Sequence, residues 1–156
     1  MSVDAVLVLE DGKVFHGVGF GAVGTAFGEA VFQTGMSGYQ ETLTDPSYHQ
    51  QVVIMTAPHI GNTGMNTVDE ESQQIWVSGF VVRDPSPIVS NWRSERSLDE
   101  ELKTAGVVGV AEVDTRAITR HLRETGAMRV GLFSGADAAK PEAELVAAVK
   151  ASPQMK

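Results

Sequence analysis

No cysteine occurs anywhere in the chain, and that absence removes a class of chemistry before any motif is read. Without a thiol there is no disulfide framework, no thiolate metal site and no cysteine nucleophile. Basic side chains are scarce too: 12 Lys and Arg stand against 20 Asp and Glu, for a net charge of -8. Such a chain repels a phosphate backbone unless its few arginines gather on one face, so nucleic acid is not an expected partner. No apolar run approaches the roughly 20 residues that cross a bilayer, and Met1-Ser-Val-Asp4 carries neither a basic leader region nor a lipidation signal. The expectation is a cytoplasmic protein with no membrane partner.

What is present is an ordinary globular composition, 42% hydrophobic and 21% charged over 156 residues. That length suits one domain, 1–156, able to hide roughly 70% of its unfolded surface in its own core. The opening AVLVLEDGKVFHGVGFG alternates around Asp11-Gly12, a strong hairpin signal, and predicts two antiparallel strands. Further β-rich runs lie at 29–34, 51–56 and 75–83. The first half therefore reads as sheet.

After the loop RDPSPIVSNWR at 83–93 the texture changes. Ser97-Leu-Asp-Glu100 is a capping box and Gly106 a C-terminal stop, so a short helix is expected between them. A buried strand at 107–113 leads to a helix capped by Asp114, with Ile118 and Leu122 on one face, arginines at its carboxyl end and Gly126 closing it. Another strand follows at 128–134. A last helix has Pro141 at its first position and Leu145, Val146 and Val149 as its apolar face, and Ser152-Pro153 ends it. Ser37 and Gln40 form a second capping box, predicting a helix over 39–44, and Asp45-Pro-Ser-Tyr48 suits a type I turn that points the Ser47 hydroxyl outward.

Several motifs invite chemistry. Gly19-Phe-Gly-Ala-Val-Gly24 matches the dinucleotide fingerprint, but it continues a hairpin arm instead of joining a strand to a helix, so strand bending and close packing explain it better. Gly35-Met-Ser-Gly-Tyr39 falls short of a nucleophile elbow by its final glycine. Asp45, Ser47 and His49 are a hydrolase set only by adjacency, and the histidines at 16, 49, 59 and 121 lack metal-ligand spacing. Pro58-His-Ile-Gly-Asn-Thr-Gly-Met-Asn66 is a loop whose backbone N–H groups suit an anion at Gly61–Gly64 or an interface. Arg116, Arg120 and Arg123 read as a solvated helix face that a partner's carboxylates can meet.

Five segments carry a resemblance: LVLEDG at 7–12, GEAVFQTGMSGYQETLTDPSY at 28–48, PHIGNTGMN at 58–66, RDPSPIVSNWR at 83–93 and DTRAITRHLRETGAM at 114–128. In this order they resemble the N-terminal domain of the small, glutamine-hydrolysing subunit of carbamoyl phosphate synthetases. The resemblance implies an α/β fold of the three-layer β/β/α swivelling type. It implies a C-terminal amidotransferase domain, absent from this chain, that hydrolyses glutamine through a Cys-His-Glu set. It also implies a large subunit that turns the ammonia, ATP and bicarbonate into carbamoyl phosphate for arginine and pyrimidine synthesis. On that footing the chain is an excised or separately produced domain. It binds no metal or cofactor, holds no catalytic residue and is inactive alone. It docks on the large subunit and lends Ser47 to the L-glutamine site as a hydrogen-bonding group. The small-anion module at Gly61–Gly64 remains the alternative.

Overall fold

The run Ala5-Val-Leu-Val-Leu9 is too continuously apolar for a strand with one wet face, and both of its faces are covered. The structure, a computed structural model, describes residues 3–33, 43, 46–56, 75–83 and 98–152 (side chains of 98–101 excepted). In it β1 (Asp4–Leu9) sends Ala5, Leu7 and Leu9 into one apolar cluster and Val6 and Val8 into another. The chain reverses through Glu10-Asp11-Gly12. The Leu9 N–H donates to the Lys13 carbonyl, the Asp11 carboxylate accepts from the Lys13 N–H at 3.1 Å, and Gly12 takes the left-handed conformation (φ 100°) such turns require. The chain then pairs back as β2 (Val14–Gly21), antiparallel to β1 as expected.

β3 (Thr25–Gln33), β4 (Gln51–Met55), β5 (Gly79–Val81), β6 (Val108–Ala111) and β7 (Arg129–Ser134) complete a sheet of order β1-β2-β6-β5-β4-β3-β7 that closes on itself. One wall, β3-β4-β5-β6, is parallel; the other, running β6-β2-β1-β7-β3, is antiparallel. Parallel neighbours need long crossovers, which span 34–50, 56–78 and 82–107. The barrel interior is aliphatic: Leu7, Leu9, Val52, Ile54, Val81, Val110, Val130 and Leu132 pack together with Ile118 and Leu122. Outside the parallel wall, Val53, Met55, Phe80 and Val82 meet Leu43 and Leu102; outside the antiparallel wall, Val6, Val8 and Phe133 meet Leu145 and Val149.

Leu102 comes from α1 (Leu98–Ala105), Ile118 and Leu122 from α2 (Thr115–Thr125), and Leu145 and Val149 from α3 (Glu142–Ala151). Asp114 caps α2 by accepting from the Ala117 N–H at 3.0 Å, and the Gly126 N–H closes it on the Leu122 carbonyl. Pro141 is the N-cap of α3, one position ahead of the expected place: its carbonyl accepts from Glu144 and Leu145, so its extended ψ of 144° is kept. Strand bounds also move. β3 starts at Thr25 because the antiparallel ladder to β7 holds 25–29 before the parallel ladder to β4 takes over. β5 keeps only three residues of the expected run. The mixed α/β class, with a sheet-rich first half and alternating second half, is as read from the sequence. Of the helix predicted over 39–44 only Leu43, fully buried, is among the described residues.

The ends of β1 and β7 are bound by a half-buried ion pair. Arg129 gives its backbone N–H to the Glu10 carboxylate at 2.6 Å and a guanidinium nitrogen at 3.1 Å, and a second guanidinium nitrogen reaches the Ser152 carbonyl beyond α3 at 2.6 Å. The side-chain bond from Arg129, then its backbone N–H, hold the Glu10 carboxyl below the usual carboxylate range against the opposing effect of burial. A folded pKa below the unfolded one contributes stability that is complete above the ordinary carboxylate range and lost as pH falls through the folded value. Glu10→Gln is therefore expected to lower stability by about 1–2 kcal/mol near pH 7 and to match the wild type near about pH 3, in urea unfolding. A gap that persisted in acid would show that shape, not charge, matters there. At Gly109 an added Cβ would lie 2.6 Å from the Phe20 carbonyl oxygen and 3.1 Å from that of Phe80, the backbones of two neighbouring strands. Gly109→Ala is expected to cost about 1–3 kcal/mol by forcing them apart, seen as a lowered melting temperature.

Candidate functional site

Ser47 lies in a 3-10 turn, Pro46–Tyr48, closed by the His49 N–H donating to the Pro46 carbonyl at 3.1 Å. Proline fixes its own φ, which stiffens the turn at its start. The far side is held by Tyr48. Its ring packs on the cluster of Leu43, Val53 and Met55, and its phenol oxygen accepts from the Gln33 amide at the end of β3, at 3.3 Å. His49 sets its ring edge against Trp76 at 5.7 Å, and the Trp76 N–H donates to the Leu43 carbonyl at 2.8 Å. Gln50 then takes a left-handed φ of 67°, rare for a residue with a side chain, and turns the chain into β4. Ser47 is exposed on this clamped corner, as the sequence suggested.

The other sequence candidates are dispersed. His49 is committed to Trp76, no carboxylate among the described residues reaches it, and Asp45 lies outside them, so the described residues assemble no hydrolase set at Ser47. The glycine fingerprint at 19–24 forms the end of β2 and the link to β3, with no helix after it. A Cβ on Gly21 would meet the Val107 carbonyl at 2.7 Å and the Leu102 Cβ at 2.8 Å, so the glycine there serves close packing. His16 pairs with Glu142 at 3.2 Å and His121 with Asp11 at 2.6 Å. Burial raises the Asp11 pKa, but the bond from His121 and the Lys13 N–H outweigh it, leaving the carboxyl below its usual range. No group of three metal-ligating side chains occurs among the described residues. The near-elbow at 35–39 and the Gly61–Gly64 loop lie outside them.

A second locality escaped the sequence reading. The carboxyl ends of the parallel strands meet α2, which is tied there by Thr119 to Thr56 (2.7 Å), by His121 to Asp11 and by Arg123 lying 5.3 Å over the Phe32 ring. Beside it Arg83, Glu112, Val113 and Asp114 line an open cavity of 290 Å³. Glu112 has a left-handed φ of 59°, and the Thr115 hydroxyl is buried without a partner. Among its described lining residues one cation stands with two carboxylates and no nucleophile. Its members come from two strand ends and a helix start, a convergence no local pattern announces.

The sequence family described as carbamoyl-phosphate synthase small chain, CPSase domain, matches residues 7–132. The chain belongs to that family. It is 68% identical to the carbamoyl phosphate synthase small chain of Streptomyces avermitilis over 154 residues, which is 99% of this chain and 40% of that protein. It is 67% identical over 151 residues to that of Streptomyces coelicolor (97% and 40%) and 60% identical over 153 residues to that of Mycobacterium tuberculosis (97% and 40%). The chain thus spans about 40% of the length of these curated relatives. In this small-chain sequence the Ser47 turn lies inside the matched region, at the amino end of a parallel strand.

The clamp and the presented group respond to mutation differently. Ser47→Ala is expected to change stability by no more than about 0.5 kcal/mol, since the side chain is exposed. Tyr48→Ala, which empties part of the apolar cluster and removes the acceptor that Gln33 meets there, is expected to cost about 2 kcal/mol or more. Thermal melts of the two variants decide it: equal losses would make Ser47 part of the scaffold.

Proposed function

We propose that this chain is the non-catalytic domain of the small subunit of a glutamine-dependent carbamoyl phosphate synthase. In this reading it forms one domain, docks on the large subunit and contributes the Ser47 hydroxyl to the glutamine site. The observation that carries it is Ser47 itself: an exposed serine on a corner held by Pro46, Tyr48 and the His49–Trp76 contact, in a chain of the small-chain family. A hydroxyl both donates and accepts, so it can meet the amide or the backbone of glutamine without being a nucleophile.

The division of labour follows from composition. With no cysteine in its 156 residues, the chain supplies no thiol, and glutamine hydrolysis belongs to an amidotransferase domain outside them. ATP and bicarbonate belong to the large subunit, so no cofactor is assigned to this domain, and the pathway places the assembly in the cytoplasm. No described helix is long and apolar enough to cross a membrane. The swivelling β/β/α arrangement rests on the family resemblance: the parallel wall β3-β4-β5-β6 and the antiparallel wall facing it would be its two β layers, while the described helices lie outside both walls.

Kinetics of the complete enzyme test the role of Ser47. Ser47→Ala removes one hydrogen bond worth about 0.5–1.5 kcal/mol, so the KM for glutamine is expected to rise roughly threefold to tenfold with kcat little changed. Ammonia-dependent synthesis, which bypasses the site, should be unaffected. An equal loss with ammonia would mean that Ser47 holds the assembly together instead of recognising glutamine. The isolated chain is expected to release no ammonia from glutamine; stoichiometric release dependent on the chain would overturn the non-catalytic assignment.

A further inference from the structure

We propose that the exposed face of α2 is the surface on which the partner subunit docks, and that its occupant is a carboxylate-bearing segment of that partner. Arg116, Arg120 and Arg123 are all exposed and follow at intervals of four and three residues. At 100° per residue they fall within about a 60° arc of the helix, a single stripe roughly 10 Å long. Ile118, Thr119 and Leu122 occupy the buried arc, so the stripe faces away from the barrel.

Charge singles this stripe out. It gathers three of only 12 basic side chains in a chain of net charge -8. Arg116 and Arg120 form no ion pair among the described residues, so their guanidinium groups stand ready for an incoming carboxylate. Three charges within about one Debye length at physiological ionic strength act together on that carboxylate. A nucleic acid fits poorly, because its phosphates would extend past the stripe onto an acidic surface.

One exposed aromatic side chain lies beside the stripe: Phe32, 36% exposed, sits beneath Arg123. Arginine with an aromatic ring is the combination enriched where protein surfaces bury each other. An acidic segment with an apolar side chain to lay on Phe32 therefore meets both features at once. The helix beneath is anchored at three points, Thr56, Asp11 and Phe32, which keeps the stripe rigid before the partner arrives.

This inference rests on the reading that the chain binds the large subunit, and the test separates the two. Binding of the purified chain to purified large subunit is measured at low and high salt for the wild type, Arg116→Glu/Arg120→Glu and Lys140→Glu/Lys150→Glu. The lysine pair changes net charge equally but lies just before α3 and in its last turn, on other elements than the stripe. The arginine pair is expected to weaken binding at least about tenfold and flatten its salt dependence, while the lysine pair changes it by less than about twofold. Melting temperatures of both variants close to the wild type confirm that the fold is intact. Tight binding by the arginine variant, or equal weakening by both pairs, overturns the surface assignment while leaving the docking reading in place. Failure of the wild type to bind at micromolar concentration overturns the docking reading and this inference with it.

Discussion

Closure of the sheet is the constraint from which the rest follows. β1 pairs with β2 along one edge and β7 along the other, so the N-terminal strand and the last strand are neighbours although more than a hundred residues separate them. A closed sheet has no free edge and two complete faces, and both must be covered. The interior is filled by aliphatic side chains and the outside by α1 with Leu43 on one wall and α3 on the other. The Arg129 guanidinium and backbone join β1, β7 and the end of α3 at a single point, which explains why one half-buried ion pair occupies that corner.

Closure also determines where chemistry can be presented. Leu, Val and Ile of the described residues fill the barrel interior, so the described polar groups open to a ligand sit on connections at the strand ends. The Ser47 turn leads into the amino end of β4, and α2 crosses the carboxyl ends of the parallel strands. Each is rigid for a different reason. The turn is clamped by a tyrosine and an edge contact between rings, the helix by three side-chain contacts to separate strands and a hairpin. Both are loops or surfaces positioned by a fixed scaffold, the arrangement in which recognition groups are commonly found.

Much of this was legible in the sequence where the signal is local. The Asp11-Gly12 hairpin, the Asp114 cap, the Gly126 stop and the apolar face of α2 each announce themselves within a turn or two, and each is found where read. The exposed Ser47 was legible from Asp-Pro chemistry. What stayed hidden depends on partners distant in the chain. Residues 25–28 have a weak strand pattern and join β3 only because β7 lies beside them, and β1, read as part of an alternating hairpin, is instead buried on both faces, because the closed sheet puts one face inside and α3 covers the other. The cavity beside Arg83 and the tie between His121 and Asp11 were likewise invisible, because a pairing across 110 residues leaves no local trace.

The central claim is that this scaffold holds Ser47 ready for glutamine without depending on it. The most direct measurement is amide hydrogen exchange on the complete small subunit with and without saturating glutamine. The account predicts that glutamine slows exchange in the turn at Ser47 to His49 and leaves β1 and β7 unchanged. Exchange in the turn that ignored glutamine, or a change spread through the barrel strands, would contradict it.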